Sequence, residues 1–130
     1  MSNFPKGDLI ENEFFTGNAY LAGLDDNDAA MSGNVTFDAG ARNNWHVHTV
    51  GQTLFVTDGT GIYQEDGKPA QRITAGDVIY TPAGVKHWHG ATADSAMSHI
   101  AVTYKDADGE VVEWLEPVSD VQFSQANKEI

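Results

Sequence analysis

Trp45-His46-Val47-His48 and Lys86-His87-Trp88-His89 are the two short runs that decide how this chain is read. The chain holds 5 histidines, four of them in these runs and the fifth at His99. In a strand, residues i and i+2 point to the same face. His46 and His48 therefore project together, and so do His87 and His89. If the two strands are neighbours in a barrel, several imidazoles converge on one interior point. Imidazole is a common ligand for Mn, Fe, Co, Ni, Cu and Zn. A single His-x-His is weak evidence, because surface or capping histidines produce it too. Two such pairs, each preceded by a glycine-bearing turn, point to a metal site.

The surroundings of these runs predict strands. Short stretches rich in β-branched and aromatic residues recur: Asn34–Phe37, Thr53–Thr57, Gly61–Gln64, Asp77–Tyr80 and His99–Tyr104. Turn-like pairs separate them at Asp58-Gly59, Asp66-Gly67, Gly76-Asp77 and Asp108-Gly109. Many short strands with regular turn signals read as an all-β sandwich or barrel. Asp66-Gly67 lies between Ile62-Tyr63 and Gln71-Arg72-Ile73 and reads as a hairpin turn, since glycine tolerates the positive φ required there. One helix is predicted, over residues 119–128, with Ser119 as cap and Gln122 as its capping-box partner. The expected organisation is one domain over residues 1–130: an arm over 1–15, a barrel over 16–116, then the helix.

Nineteen acidic residues against 7 basic ones give a formal net charge of -12. Such a field repels phosphate backbones, so nucleic acid is not an expected partner. The chain has no cysteine, which removes thiolate ligands, thiol nucleophiles and disulfides. Any metal must be held by imidazole and oxygen donors. Residues 1–7 lack a basic segment followed by an apolar run, and no stretch is apolar enough to span a bilayer. The expectation is a cytoplasmic protein with no membrane partner.

The spacing around the histidines resembles the cupins. The first cupin motif is matched by Gly40, His46, His48, Gln52 and Gly59, and the second by Gly76, Pro82-Ala83-Gly84 and His87. The resemblance implies a double-stranded β-helix, or jelly-roll barrel, with one divalent metal held by His46, His48, Gln52 and His87. Gln52 stands where a Glu is usual, and Ala91 where an Asn is usual. A Gln carbonyl is a neutral donor, so beside three neutral imidazoles it leaves the divalent charge uncompensated, a stronger Lewis acid and a weaker binder.

The longer run, through Gly40-Ala41-Arg42, Gly51-Gln52-Thr53-Leu54 and His87-Trp88-His89-Gly90 to Met97-Ser98-His99, is similar to a bacterial cupin subgroup that includes manganese-dependent hydroxynitrile lyases. That implies a lyase acting on α-hydroxynitriles, with Mn as the favoured metal and Fe, Ni, Co or Zn as alternatives. His89 and His99, outside the general motif, are candidates for acid–base work, since imidazole titrates near neutral pH. A dioxygenase-type oxygenase and a non-catalytic metal- or ligand-binding module are the alternative readings. Val35, Phe37, Leu54, Val56 and Tyr80 are candidate walls for a small-molecule pocket. Trp45 and Trp88 alternate with the histidines and should pack on the opposite face. Phe14, Phe15 and Tyr20 suggest that the arm covers a partner's sheet in a homodimer.

Overall fold

The computed structural model describes residues 3–110 and 112–130. Its elements are β1 (Asp8–Leu9), β2 (Phe15–Thr16), β3 (Ala19–Asp26), β4 (Ala30–Phe37), β5 (Arg42–Asn43), β6 (His46–His48), β7 (Gly51–Glu65), β8 (Gln71–Thr74), β9 (Val78–Pro82), β10 (His87–Ala91), β11 (Met97–Tyr104), β12 (Val112–Trp114) and α1 (Asp120–Glu129). All the pairings are antiparallel. One sheet runs β1-β3-β4-β11-β7-β9. The other runs β2-β5-β10-β7-β8, with β6 on β10 and β12 on β6. The result is the all-β, double-stranded β-helix barrel expected from the sequence, with one short C-terminal helix.

β7 belongs to both sheets. Sequence reading divides it at Asp58-Gly59, taken as a turn, but the strand continues through that pair for 15 residues. What lies there is a bulge. Ser98 faces Asp58 and His99 faces Val56, so Thr57 is an extra residue. Side chains alternate with a period of two, so one inserted residue exchanges the faces of everything beyond it. Before the bulge, Gln52 lines the barrel interior and Val56 packs in its core. After it, Tyr63 points inward and Ile62 outward toward the helix. Gly59 is part of the device: its φ is +73°, and a Cβ there would lie 1.9 Å from the Ala96 carbonyl oxygen.

Two apolar clusters result. Phe37, Val56, Tyr63, Ile73 and Met97 fill the barrel. Trp45, Ile62, Trp88, Val118, Phe123 and Ala126 fill the space between the barrel wall and α1. Trp45 and Trp88 thus face away from the histidines they alternate with, their rings edge-to-face at 6.5 Å. A 10-residue helix is marginal by itself. Docking holds α1: the Arg42 guanidinium lies 4.4 Å over the Phe123 ring, and its Nη2 donates to the Val118 carbonyl at 2.9 Å. Ser119 caps it in a complete capping box with Gln122.

The arm lies on its own barrel. β1 pairs with β3 and β2 with β5, while Phe14 stacks on Trp114 at 5.0 Å. Phe14 and Phe15 therefore serve this chain's own wall, and the Tyr20 ring carries the Lys6 ammonium at 3.9 Å. Tyr80 is 58% exposed and is not among the residues lining the cavity of about 660 Å³, and Leu54 and Val56 are buried core residues. No described helix is long and apolar enough to cross a membrane.

The bulge carries a direct test. Gly59→Ala should destabilise the protein by at least about 2 kcal/mol in denaturant unfolding, from positive φ plus the clash. Gly67→Ala, at φ +78° with nothing within 4 Å of the new Cβ, should cost only about 1 kcal/mol. Equal costs would show that the close approach at Ala96 is unimportant.

Candidate metal centre

The register of β6 and β10 brings the two histidine runs together. His46 sits opposite His87 across that pair. Their ring centroids are 4.2 Å apart, and the His48 ring is 5.0 Å from His46 and 5.4 Å from His87. All five histidines are buried. Gln52 reaches the same region from the first residues of β7.

Each imidazole near this point has a defined hydrogen-bond partner on one side. His46 Nδ1 donates to the Asn44 carbonyl at 2.8 Å, and His87 Nδ1 donates to the Val85 carbonyl at 2.9 Å. His48 Nδ1 donates to Glu110 Oε1 at 3.0 Å. A neutral imidazole protonated at Nδ1 carries its lone pair on Nε2. In all three histidines Nε2 is thus the basic atom, and outer partners of this kind typically orient metal ligands. Gln52 Nε2 donates to Thr103 Oγ1 at 2.9 Å, which leaves its Oε1 as the remaining acceptor. Among the described residues, His48 Nε2, Gln52 Oε1 and His87 Nε2 are buried and have no hydrogen-bond partner. Buried polar atoms are rarely left so. Three orphaned acceptors beside one another fit a cation.

Among the described residues, the group whose candidate ligand atoms all lie within 4.8 Å of one another is His46, His87 and His89, and His48 stands outside it. His89 differs from the others in its bonding. Its backbone N–H donates to Asn43 Oδ1 at 3.0 Å, which turns Asn43 Nδ2 toward His89 Nε2 at 3.2 Å. Nε2 of His89 is thereby an acceptor already in use, and its proton resides on Nδ1. His89 is set up to donate a hydrogen bond rather than to give a lone pair. His99 stands 4.9 Å from His89, ring to ring, and neither of its nitrogens has a partner.

Burial controls the electrostatics. Desolvation lowers His46 well below the ordinary histidine value, and the neighbouring His87 lowers it further. His87 is lowered to about 4 and His99 to about 3, in both cases chiefly by burial. His89 is also well below normal, through burial and then His99. His48 is lowered by burial, against the pull of Glu110 in the opposite direction. The sequence suggests imidazoles that titrate near neutral pH; inside the barrel they are neutral bases instead.

A cavity of about 660 Å³ opens onto the cluster. His46, His48, Gln52, His89 and His99 reach its wall, and Val35, Phe37, Ala101, Leu21 and Met31 supply its apolar surface. Val35 and Phe37 are the two expected pocket residues found there. Sequence reasoning missed Asn43, Thr103, Glu110 and Trp114. Asn43 sits in the strand just before the first histidine run. The other three lie far from either motif, and nothing in their local sequence marks them.

The motifs, the barrel and the buried histidines define a cupin. A cupin domain model matches residues 33–103, and the chain belongs to that family. It is 41% identical over 114 residues to a protein of Granulicella tundricola named (R)-mandelonitrile lyase, covering 85% of this chain and 86% of the relative. A cupin-like protein of Thermotoga maritima of known structure is 36% identical, with a TM-score of 0.94 over 100% of both chains. A polyketide cyclase of Streptomyces resistomycificus shares the fold alone: TM-score 0.72 and 13% identity, covering 95% of this chain and 91% of its own. A three-histidine site in a cupin suits a divalent metal.

The depressed histidines have a consequence for stability. Between pH 6.5 and about 4 the unfolded chain binds protons that the folded chain refuses. In the metal-free protein, stability from neutral burial is complete above pH 6.5 and should fall by a few kcal/mol on acidification toward pH 4. Thermal melts across that range measure it; a flat profile would contradict neutral burial.

Proposed function

We propose that this cupin is a metal-dependent lyase acting on α-hydroxynitriles, with His46, His48, Gln52 and His87 as the metal ligands. The observation that carries the reading is the set of buried, unpartnered atoms His48 Nε2, Gln52 Oε1 and His87 Nε2, with His46, His48 and Gln52 on the wall of a largely apolar cavity and the His87 ring 4.2 Å from that of His46. The Nδ1 hydrogen bonds of His46, His48 and His87 favour this set over one that includes His89. The similarity to the Granulicella tundricola protein supports the substrate class. A bound divalent ion supplies Lewis acidity that makes a substrate hydroxyl easier to ionise. Manganese is the favoured ion, with Fe, Co, Ni and Zn as alternatives.

The chain's own residues take the remaining parts. His99, neutral and unpartnered, accepts the hydroxyl proton. The C–C bond breaks, its electron pair leaves with cyanide, and His99 returns the proton to that group, giving aldehyde and hydrogen cyanide. His89 donates a hydrogen bond from Nδ1, its tautomer held by Asn43. Phe37 lies 5.7 Å from the His89 ring and 5.8 Å from the His99 ring and keeps water from both. Val35, Ala101 and Met31 receive the apolar part of the substrate. We propose further that the protein works as a homodimer in the cytoplasm. Exposed Phe55, Val78 and Tyr80, rather than the arm, offer the apolar face for a second copy.

Protein stripped of metal and reloaded with Mn or Fe should release aldehyde and cyanide from mandelonitrile without oxygen uptake. His87→Ala should reduce turnover by at least about 100-fold. No turnover by the loaded protein, or equal turnover by His87→Ala, would sink the reading, and oxygen uptake would favour an oxygenase. Light scattering giving a monomeric mass would overturn the dimer.

A further inference from the structure

Glu110 is a buried carboxylate on an otherwise exposed turn. Its side chain is 7% exposed, while Asp106, Ala107 and Asp108 before it are exposed. That turn is closed by Asp106 and Gly109, which bridge backbone to backbone, and by the Asp108 N–H, which donates to Asp106 Oδ1. From its end the Glu110 side chain reaches back 60 residues and more to the strand that carries the first histidine run. Oε1 accepts from His48 Nδ1 at 3.0 Å. Oε2 accepts from Thr49 Oγ1 and from the Val50 N–H, both at 3.1 Å. Three donors on three successive residues thus converge on one carboxylate. Such a clamp fixes both the position of the carboxylate and the face that it shows to His48.

The other two Nδ1 atoms near the centre are held by neutral backbone carbonyls, at Asn44 and Val85. Of these three imidazoles, among the described residues, only His48 has a carboxylate as its Nδ1 partner. Gln52, the remaining oxygen donor, is neutral. We infer that Glu110 is the positioning residue for His48. Through that imidazole it delivers to the metal the negative charge that Gln52 withholds. A carboxylate behind a histidine raises the basicity of the far nitrogen and locks the tautomer that bears a lone pair there. The charge stands one imidazole away from the ion. It strengthens binding and leaves the ion less neutralised than a directly bonded carboxylate would.

The arrangement also ties metal binding to the rim of the cavity. Glu110 and Lys105 lie at the two ends of the same turn, and both line the cavity. Lys105 pairs with Asp26 on the β3–β4 hairpin across the mouth. The turn that shapes the opening is therefore the one that carries the ligand's partner. This inference rests on His48 being a metal ligand, and its test separates the two claims.

The test uses Glu110→Gln, which keeps size and shape, and Glu113→Gln, which removes an equal charge from an exposed position three residues on. In metal-free protein labelled with 15N-histidine, long-range 15N–1H correlation reads the His48 tautomer. Wild type and Glu113→Gln should show the proton on Nδ1; Glu110→Gln should shift it wholly or partly to Nε2. Calorimetric titration with Mn2+ should show a 10- to 100-fold loss of affinity in Glu110→Gln and none in Glu113→Gln. An unchanged tautomer in Glu110→Gln, or an affinity within twofold of wild type, overturns the inference. So does an equal loss in both variants. Failure of wild type to bind Mn2+ at all would instead overturn the ligand reading, whatever the tautomer result.

Discussion

Neutral imidazoles packed out of contact with water are the constraint on which the rest of this structure depends. Five histidines lie inside or beside one barrel, and none can charge there without losing its hydration. Each neutral ring has one donor and one acceptor nitrogen, and each buried nitrogen calls for a partner. His46 and His87 satisfy the donor with backbone carbonyls, and His48 with Glu110. What is left over is a set of lone pairs facing one small volume. The cluster costs stability as a set of unmatched acceptors, a cost that a bound divalent ion would offset. Packing, protonation and ligand geometry are thus aspects of a single balance.

The barrel reaches this arrangement through a local irregularity. β7 must present Gln52 to the interior in one sheet and Tyr63 to the interior in the other, while Ile62 packs under α1. A regular strand of that length keeps one parity throughout. The extra residue at Thr57 changes it, beside the point where His99 pairs with Val56. Gly59 follows because neither its φ nor its approach to Ala96 admits a side chain. The second motif's His87 then meets His46 because β10 pairs with both β6 and the far half of β7.

Legibility followed sequence distance. The i, i+2 histidines and the cupin spacing made the metal-site candidates readable, because each motif lies within one strand and its flanking turn. The helix was readable too, since Ser119 and Gln122 act on neighbouring residues. Asp58-Gly59 was misread because a turn and a bulge both recruit glycine at positive φ. The protonation of His89 and His99 was not readable for another reason. The ordinary imidazole value applies in water, and burial lowers His99 to about 3. Glu110 could not be read at all: an acid after Asp108-Gly109 looks like one more solvated charge in a chain of net charge -12.

The sequence by itself determined the barrel, the capped helix, the donor chemistry available to a metal and the exclusion of thiolates. These follow from periodicity, spacing and composition, which are local properties. Only the tertiary structure decided which nitrogen of His46, His48, His87 and His89 carries its lone pair, which residues wall the cavity and which carboxylate stands behind His48. Each of those depends on a partner brought from a distant strand or turn, by a register that one inserted residue in β7 helps to set.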